Sequence, residues 1–123
     1  MPQAVIVDDD PDCLELLANL VSAEGFSVGK ADTLCAARRQ LAGQPPDVLI
    51  TDLVLPDGEG IEIMGDLESD RETLVVVITG HASLDSAINA LRCGANDYLC
   101  KPVDVDLLRI IIGRIAARLA ASC

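Results

Sequence analysis

Aromatic side chains are almost missing from this sequence: one Phe, one Tyr and no Trp. The core must therefore be built from Val, Ile, Leu and Ala, and the stacking platforms that hold single-stranded nucleic acids are absent. Basic residues are scarce too. Nine Lys and Arg stand against twenty Asp and Glu, for a formal net charge of -11. Such a surface repels phosphate backbones and anionic lipid, which excludes direct binding of nucleic acid or membrane by this stretch, and it attracts basic partners and divalent cations. No apolar run approaches the about 20 residues of a membrane span, and Met1-Pro2-Gln3-Ala4 enters a strand-like segment with no signal peptide. There is no C-x-x-C pair. The five cysteines (Cys13, Cys35, Cys93, Cys100, Cys123) are odd in number, and most lie in apolar runs, where a free thiol packs as a small hydrophobe. A cytoplasmic protein with reduced, structural thiols is expected.

At 123 residues the chain makes one domain with a proper core. Five short apolar runs stand out: Ala4 to Val7, Phe26 to Val28, Val48 to Ile50, Leu74 to Ile78 and Tyr98 to Cys100. Four are continuously apolar, as expected of strands buried on both faces of a parallel sheet. Segments of helical spacing separate and follow them. The first has Asp10 as N-cap, Pro11 at the first helical position and Cys13, Leu16, Leu17, Leu20 and Val21 as apolar positions, and it ends at Gly25. A second runs from Asp32-Thr33 to near Gly43, a third from about Gly60 to Leu67, and a fourth from near Ser83 to a Gly94 cap. The last follows Pro102 through Leu108, Ile112 and Ile115 to Leu119. Strict alternation of strand and helix predicts an α/β fold with right-handed crossovers, a doubly wound five-stranded parallel sheet.

In open parallel sheets, ligands sit at the carboxyl ends of the strands. The first predicted strand ends in Asp8-Asp9-Asp10, the third in Asp52, the fourth in Thr79-Gly80 and the fifth in Lys101-Pro102. Carboxylates, a hydroxyl and an ammonium distant in sequence thus converge on one cleft. Like charges packed together need a compensating cation, and hard oxygen ligands suit Mg²⁺, which takes one or two carboxylates plus a phosphate oxygen. Asp52, apart from the acidic cluster, is placed to act as a nucleophile that forms an acyl phosphate. The cation, Lys101 and Thr79 can then share the phosphoryl oxygens. A tight Leu55-Pro56-Asp57-Gly58 turn leaves the cleft open to a donor.

Over nearly its whole length the chain resembles the receiver domains of bacterial two-component response regulators. The match is carried by Val7-Asp8-Asp9-Asp10, by Asp52 with the following Leu-Pro-Asp-Gly, by Ile78-Thr79-Gly80 and by Gly94-Ala95-Asn96-Asp97-Tyr98-Leu99-Cys100-Lys101-Pro102. The resemblance implies a flavodoxin-like (βα)5 fold with strand order 2-1-3-4-5. It implies a signalling domain, not an enzyme in the ordinary sense, that promotes its own phosphorylation and dephosphorylation. Asp52 would take the phosphoryl group from a sensor histidine kinase. Mg²⁺ would be held by Asp9 directly, Asp8 through water, Asp52, and the backbone carbonyl of Val54. Thr79 and Tyr98 would carry the switch, Lys101 would touch a phosphoryl oxygen, and the bond before Pro102 would be cis.

His81, the single histidine, and Val54 fall where the family places variable residues at the rim of the site. An apolar Val54 would not orient an attacking water, so slow-to-moderate self-dephosphorylation is expected. Leu14 in the first helix and Leu107, Ile110 and Ile111 in the last exceed one buried stripe, and surplus apolar surface marks partner sites. By resemblance these faces serve kinase docking and a homodimer through the last helix. The Val-Ile-Thr-Gly-His-Ala-Ser and Asp-Tyr-Leu-Cys-Lys-Pro-Val-Asp patterns are most like receivers of enhancer-binding transcription activators. Residues 1–123 would then be the N-terminal part of a longer regulator with an output domain, or a stand-alone one.

Three rival readings stand beside this one. A haloacid-dehalogenase-like phosphatase would use Asp8 as nucleophile, but Pro11-Asp12 replaces the expected Gly-Thr and no residues remain for a cap. A degenerate receiver would bind partners only, against a full set of site residues. A flavin-binding protein is disfavoured because three Asp after the first strand repel a cofactor phosphate.

Overall fold

A computed structural model describes residues 1–67 and 73–121. In chain order the elements are β1 (Gln3–Val7), α1 (Pro11–Ala23), β2 (Ser27–Ala31), α2 (Leu34–Leu41), β3 (Val48–Thr51), β4 (Val54–Leu55), β5 (Gly58–Glu59), α3 (Ile61–Asp66), β6 (Leu74–Thr79), α4 (Leu84–Arg92), β7 (Asp97–Cys100) and α5 (Val105–Ala121). The parallel sheet has the order β2-β1-β3-β6-β7. This is the expected 2-1-3-4-5, because β4 and β5 pair antiparallel as a separate ribbon.

Successive residues of a strand face opposite sides of the sheet, and the two sides carry separate cores. Ala4, Ile6, Val48, Ile50, Val76 and Ile78 point toward Leu17, Val21, Leu108 and Ile112 of α1 and α5. Val5, Val7, Leu49, Val75 and Val77 point toward Leu34, Ala37, Ile63 and Ala90 of α2, α3 and α4. Both faces are covered, so the inner strands β1, β3 and β6 are apolar at all but their end positions. The predicted second strand is displaced. Phe26 is buried ahead of β2, and the strand runs on through the half-buried Val28 and Gly29 and the exposed Lys30. As the sheet's outer strand, β2 pairs on one side only, which permits polar positions.

The helix starts follow from their caps. Asp10 accepts from Asp12 N at 3.0 Å with Pro11 at the first position of α1, and Thr33 accepts from Ala36 N at 3.0 Å to open α2. Ser83 and Ser86 form a reciprocal capping box on α4. Gly25 and Gly94 take positive φ of 94° and 107° past the ends of α1 and α4, the left-handed geometry that glycine adopts without a Cβ penalty.

Three expectations about the surface are corrected. Cys35, Cys93 and Cys100 are exposed, because they fall on the outer side of a helix or at its end or a strand's; Cys13 alone is half-buried. All four are free thiols, and Cys123 lies outside the described residues. Leu14 packs partly against the α1/α5 core, and Leu16 is the exposed leucine of that helix. Ile111 likewise packs inward, which leaves Leu107 and Ile110 exposed on α5.

Candidate functional site

Backbone bonds at the carboxyl edge of the sheet seat each polar residue. Asp8 N donates to Ala31 O at 3.0 Å, Asp52 N to Val7 O at 2.9 Å and Lys101 N to Thr79 O at 2.8 Å, which extends the ladders one residue past the strands. The peptide between Lys101 and Pro102 is cis. Asp8 and Asp52 are 1% and 5% exposed, while Asp9 is exposed at the mouth.

Asp8, Asp9 and Asp52 each present a carboxylate oxygen within 4.8 Å of the others, a grouping able to hold a metal ion. Lys101 lies between two of them. Its Nζ donates to Asp52 Oδ2 at 2.9 Å and to Asp8 Oδ1 at 3.2 Å. It also forms an ion pair with Asp8 Oδ2 at 2.9 Å, outside hydrogen-bond geometry. That oxygen is therefore buried with no hydrogen-bond partner. Its charge faces the Lys101 ammonium, and the three hard oxygen donors of Asp8, Asp9 and Asp52 fit a small divalent ion.

Burial acts against the charge on Lys101, but the hydrogen bonds and charges of Asp52 and Asp8 outweigh it and hold the ammonium well above the ordinary lysine range. Lys101 is thus a permanent cation at neutral pH. Burial, and then the Asp8 carboxylate, push the Cys13 thiol up to about 12. It stays protonated at neutral pH and is no nucleophile.

The remaining predicted residues surround this centre. Val54 is 46% exposed, and its N–H donates to Asp52 Oδ1 at 3.2 Å. Thr79 is fully buried, and its Oγ1 accepts from His81 N at 3.0 Å. His81 is exposed and, with Val54, Leu53, Ile61, Ser86 and Asn89, lines a cavity of about 170 Å³ beside α4. Tyr98 is half-buried, with Oη 2.5 Å from Ser86 Oγ. The hydrogen bonds described for Thr79 and Tyr98 thus lead toward the α4 end of the molecule, and those of Lys101 lead to the carboxylates.

Sequence reasoning missed three residues. Ser86 is both the third helical residue in the α4 capping box and the partner of Tyr98; a serine inside a helix gives no such signal. At Gly60 a Cβ would lie 1.9 Å from Asp52 O and 2.8 Å from Thr51 Oγ1, so the chain passes directly over the backbone of Asp52. Asp57, read as a turn residue, caps another element: its carboxylate accepts from Leu34 N at 2.8 Å and Cys35 N at 3.0 Å. Those two backbone bonds hold it below its ordinary value of 3.8.

A model of the response regulator receiver domain matches residues 4–113. The chain belongs to this family. Among characterised relatives, this receiver is 40% identical over 111 residues to the response regulator protein PilR of Pseudomonas aeruginosa, covering 89% of the receiver and 25% of PilR. It spans between about a quarter and three fifths of the length of the curated relatives it matches. Its structure resembles a CheY-like receiver domain protein from Methanospirillum hungatei, with TM-score 0.85, 28% identity and 98% of each chain covered. The beryllofluoride-activated NtrC4 receiver domain dimer is similar at TM-score 0.85 and 28% identity, over 96% of this receiver and 98% of that chain. No helix among the described residues is long and apolar enough to cross a membrane.

Proposed function

We propose that the chain is a phosphorylation-controlled switch in which Asp52 accepts a phosphoryl group from a sensor histidine kinase. The observation that carries this reading is the meeting of Asp8, Asp9, Asp52 and Lys101 from three strand ends, with Lys101 paired to both buried carboxylates. Asp52 Oδ attacks phosphorus, the donor's phosphorus–nitrogen bond breaks, and the leaving nitrogen takes up a proton. Lys101, already bonded to Asp52 Oδ2, follows the charge onto a phosphoryl oxygen, and the Thr79 hydroxyl meets another. Asp8, Asp9, Asp52 and the Val54 carbonyl would hold Mg²⁺. When bound, the ion neutralises charge developing on the phosphoryl oxygens. Val54 and His81 at the rim set how readily water reaches the acyl phosphate.

The message leaves through Thr79 and Tyr98 toward α4, to an output domain or partner in a longer cytoplasmic transcription regulator. Leu84, Ile88 and Leu91 form an exposed apolar stripe on α4, and Leu107 and Ile110 are exposed on α5. These faces, more than α5 alone, are suited to pairing two receivers; the activated NtrC4 receiver is itself a dimer. The test is incubation with acetyl phosphate and Mg²⁺ followed by mapping of the modified residue by mass spectrometry. Phosphate on Asp52, lost in Asp52→Asn and without added Mg²⁺, is expected. Phosphate on Asp8 would instead support the phosphatase reading, and no uptake at all the degenerate receiver.

A further inference from the structure

The ribbon that follows Asp52 is secured at its tip by a residue outside the phosphoryl chemistry. Pro56 and Asp57 form the turn between β4 and β5, and the Asp57 carboxylate reaches across to α2. Its two oxygens take the Leu34 and Cys35 amides, and Thr33 Oγ1 takes that of Ala36. Three of the four free amides at the start of α2 are thereby satisfied, two of them by a residue from another part of the chain. The bonds are charge-assisted and divide between both oxygens. The turn also packs on α2: a Cβ at Gly58 would lie 2.5 Å from Leu34 Cδ1.

At its other end the ribbon closes on the Asp52 backbone through Gly60, whose N–H donates to Leu53 O at 2.8 Å. Val54 lies between these two fixed points. Its amide bonds Asp52 Oδ1, and its side chain is nearly half exposed, which limits its anchorage. A ribbon of two residue pairs is not stable alone. The geometry points to Asp57 as a positioning residue for the cation and phosphoryl site: by clamping the ribbon to α2 it fixes the Val54 backbone relative to Asp52. This rests on the reading of the site given above.

The alternative is an ordinary helix cap with no bearing on the site, and Thr33→Ala separates the two, since it weakens the same helix end without touching the ribbon. Mg²⁺ affinity of the 123-residue chain is measured by titration calorimetry, alongside amide hydrogen exchange at Leu34, Cys35 and Val54. Asp57→Ala is expected to weaken Mg²⁺ binding on the order of three- to tenfold, at or below the low end of losses from outer-shell partners, and to speed exchange at all three amides. Asp57→Asn, which keeps one acceptor, should fall between and tests the role even if the alanine variant folds poorly. Thr33→Ala should lower the melting temperature and leave Mg²⁺ affinity unchanged. Wild-type affinity in Asp57→Ala, or equal weakening by Thr33→Ala, overturns the role of Asp57 alone. Absence of Mg²⁺ binding by the wild type overturns the reading of the site, and this inference with it.

Discussion

Lys101 is the one positive charge seen between two buried carboxylates, and Lys101→Met removes that charge while keeping a stem of similar length. Asp8 and Asp52 then face each other at 1% and 5% exposure without the ammonium that sits 2.9 Å from each. Removing one partner of a buried ion pair costs about 3–5 kcal/mol. The Lys101 side chain is 20% exposed, so water screens part of the interaction and roughly 2–3 kcal/mol is the better expectation. In thermal terms the melting temperature should fall by roughly 6–15 °C for a chain of this size. Urea unfolding in chelator, followed by far-UV circular dichroism, measures the loss directly. Repeating it in Mg²⁺ should narrow the gap, because the carboxylates left by Lys101 are freer to bind the cation and binding stabilises the native state. The sign with pH follows from the raised ammonium value. The contribution of Lys101 is fully present below the ordinary lysine pKa of about 10.4 and is lost as pH rises through the higher folded value. A variant within about 0.5 kcal/mol of wild type in chelator, the worth of an exposed pair, would refute this account. A gap that widens in Mg²⁺ would refute it as well.

Two further substitutions probe the residues that carry the site's geometry. Ser86→Ala removes the oxygen shared by Tyr98 and the α4 cap, and should cost about 1 kcal/mol, less a few tenths regained from helix propensity. Because Tyr98 is the single tyrosine, near-UV circular dichroism reports on it cleanly; an unchanged tyrosine band would show that Ser86 does not hold the ring. Gly60→Ala drives a methyl group to 1.9 Å from Asp52 O, where backbone must move, so a loss of about 3 kcal/mol or more is expected. Wild-type denaturation midpoints would contradict it.

The sheet and its edge residues were legible because both rest on strong local signals. Uninterrupted Val48-Leu49-Ile50 and Leu74 to Ile78 read as strands covered on two sides, and each ended in a polar residue at the edge where ligands gather. Asp10, Thr33 and Ser83 announced their helices through cap chemistry. Contacts made by loops across the fold were not legible. Nothing in Leu55-Pro56-Asp57-Gly58 says that Asp57 will meet Leu34 and Cys35, 23 and 22 residues away, since local pattern carries no information about what tertiary packing brings opposite. The surface was misjudged for a related reason. Counting apolar residues per helix singled out Leu14 and Ile111 but passed over α4, where the surplus is small in number and lies in one exposed row.

Helix α4 is also the least embedded of the long elements. Ala90 is its one buried residue, against Leu17, Ala18, Leu20 and Val21 in α1 and Leu108, Ile112 and Ile115 in α5. A methyl group seats shallowly, and segments with few buried apolar contacts open at the lowest free energy. By that measure α4 is expected to open more readily than α1 or α5, which grip the sheet with larger side chains. Leu84, 77% exposed, begins the apolar row on α4. The long helix with the least buried apolar anchorage is thus also the one that shows a neighbour the longest apolar row.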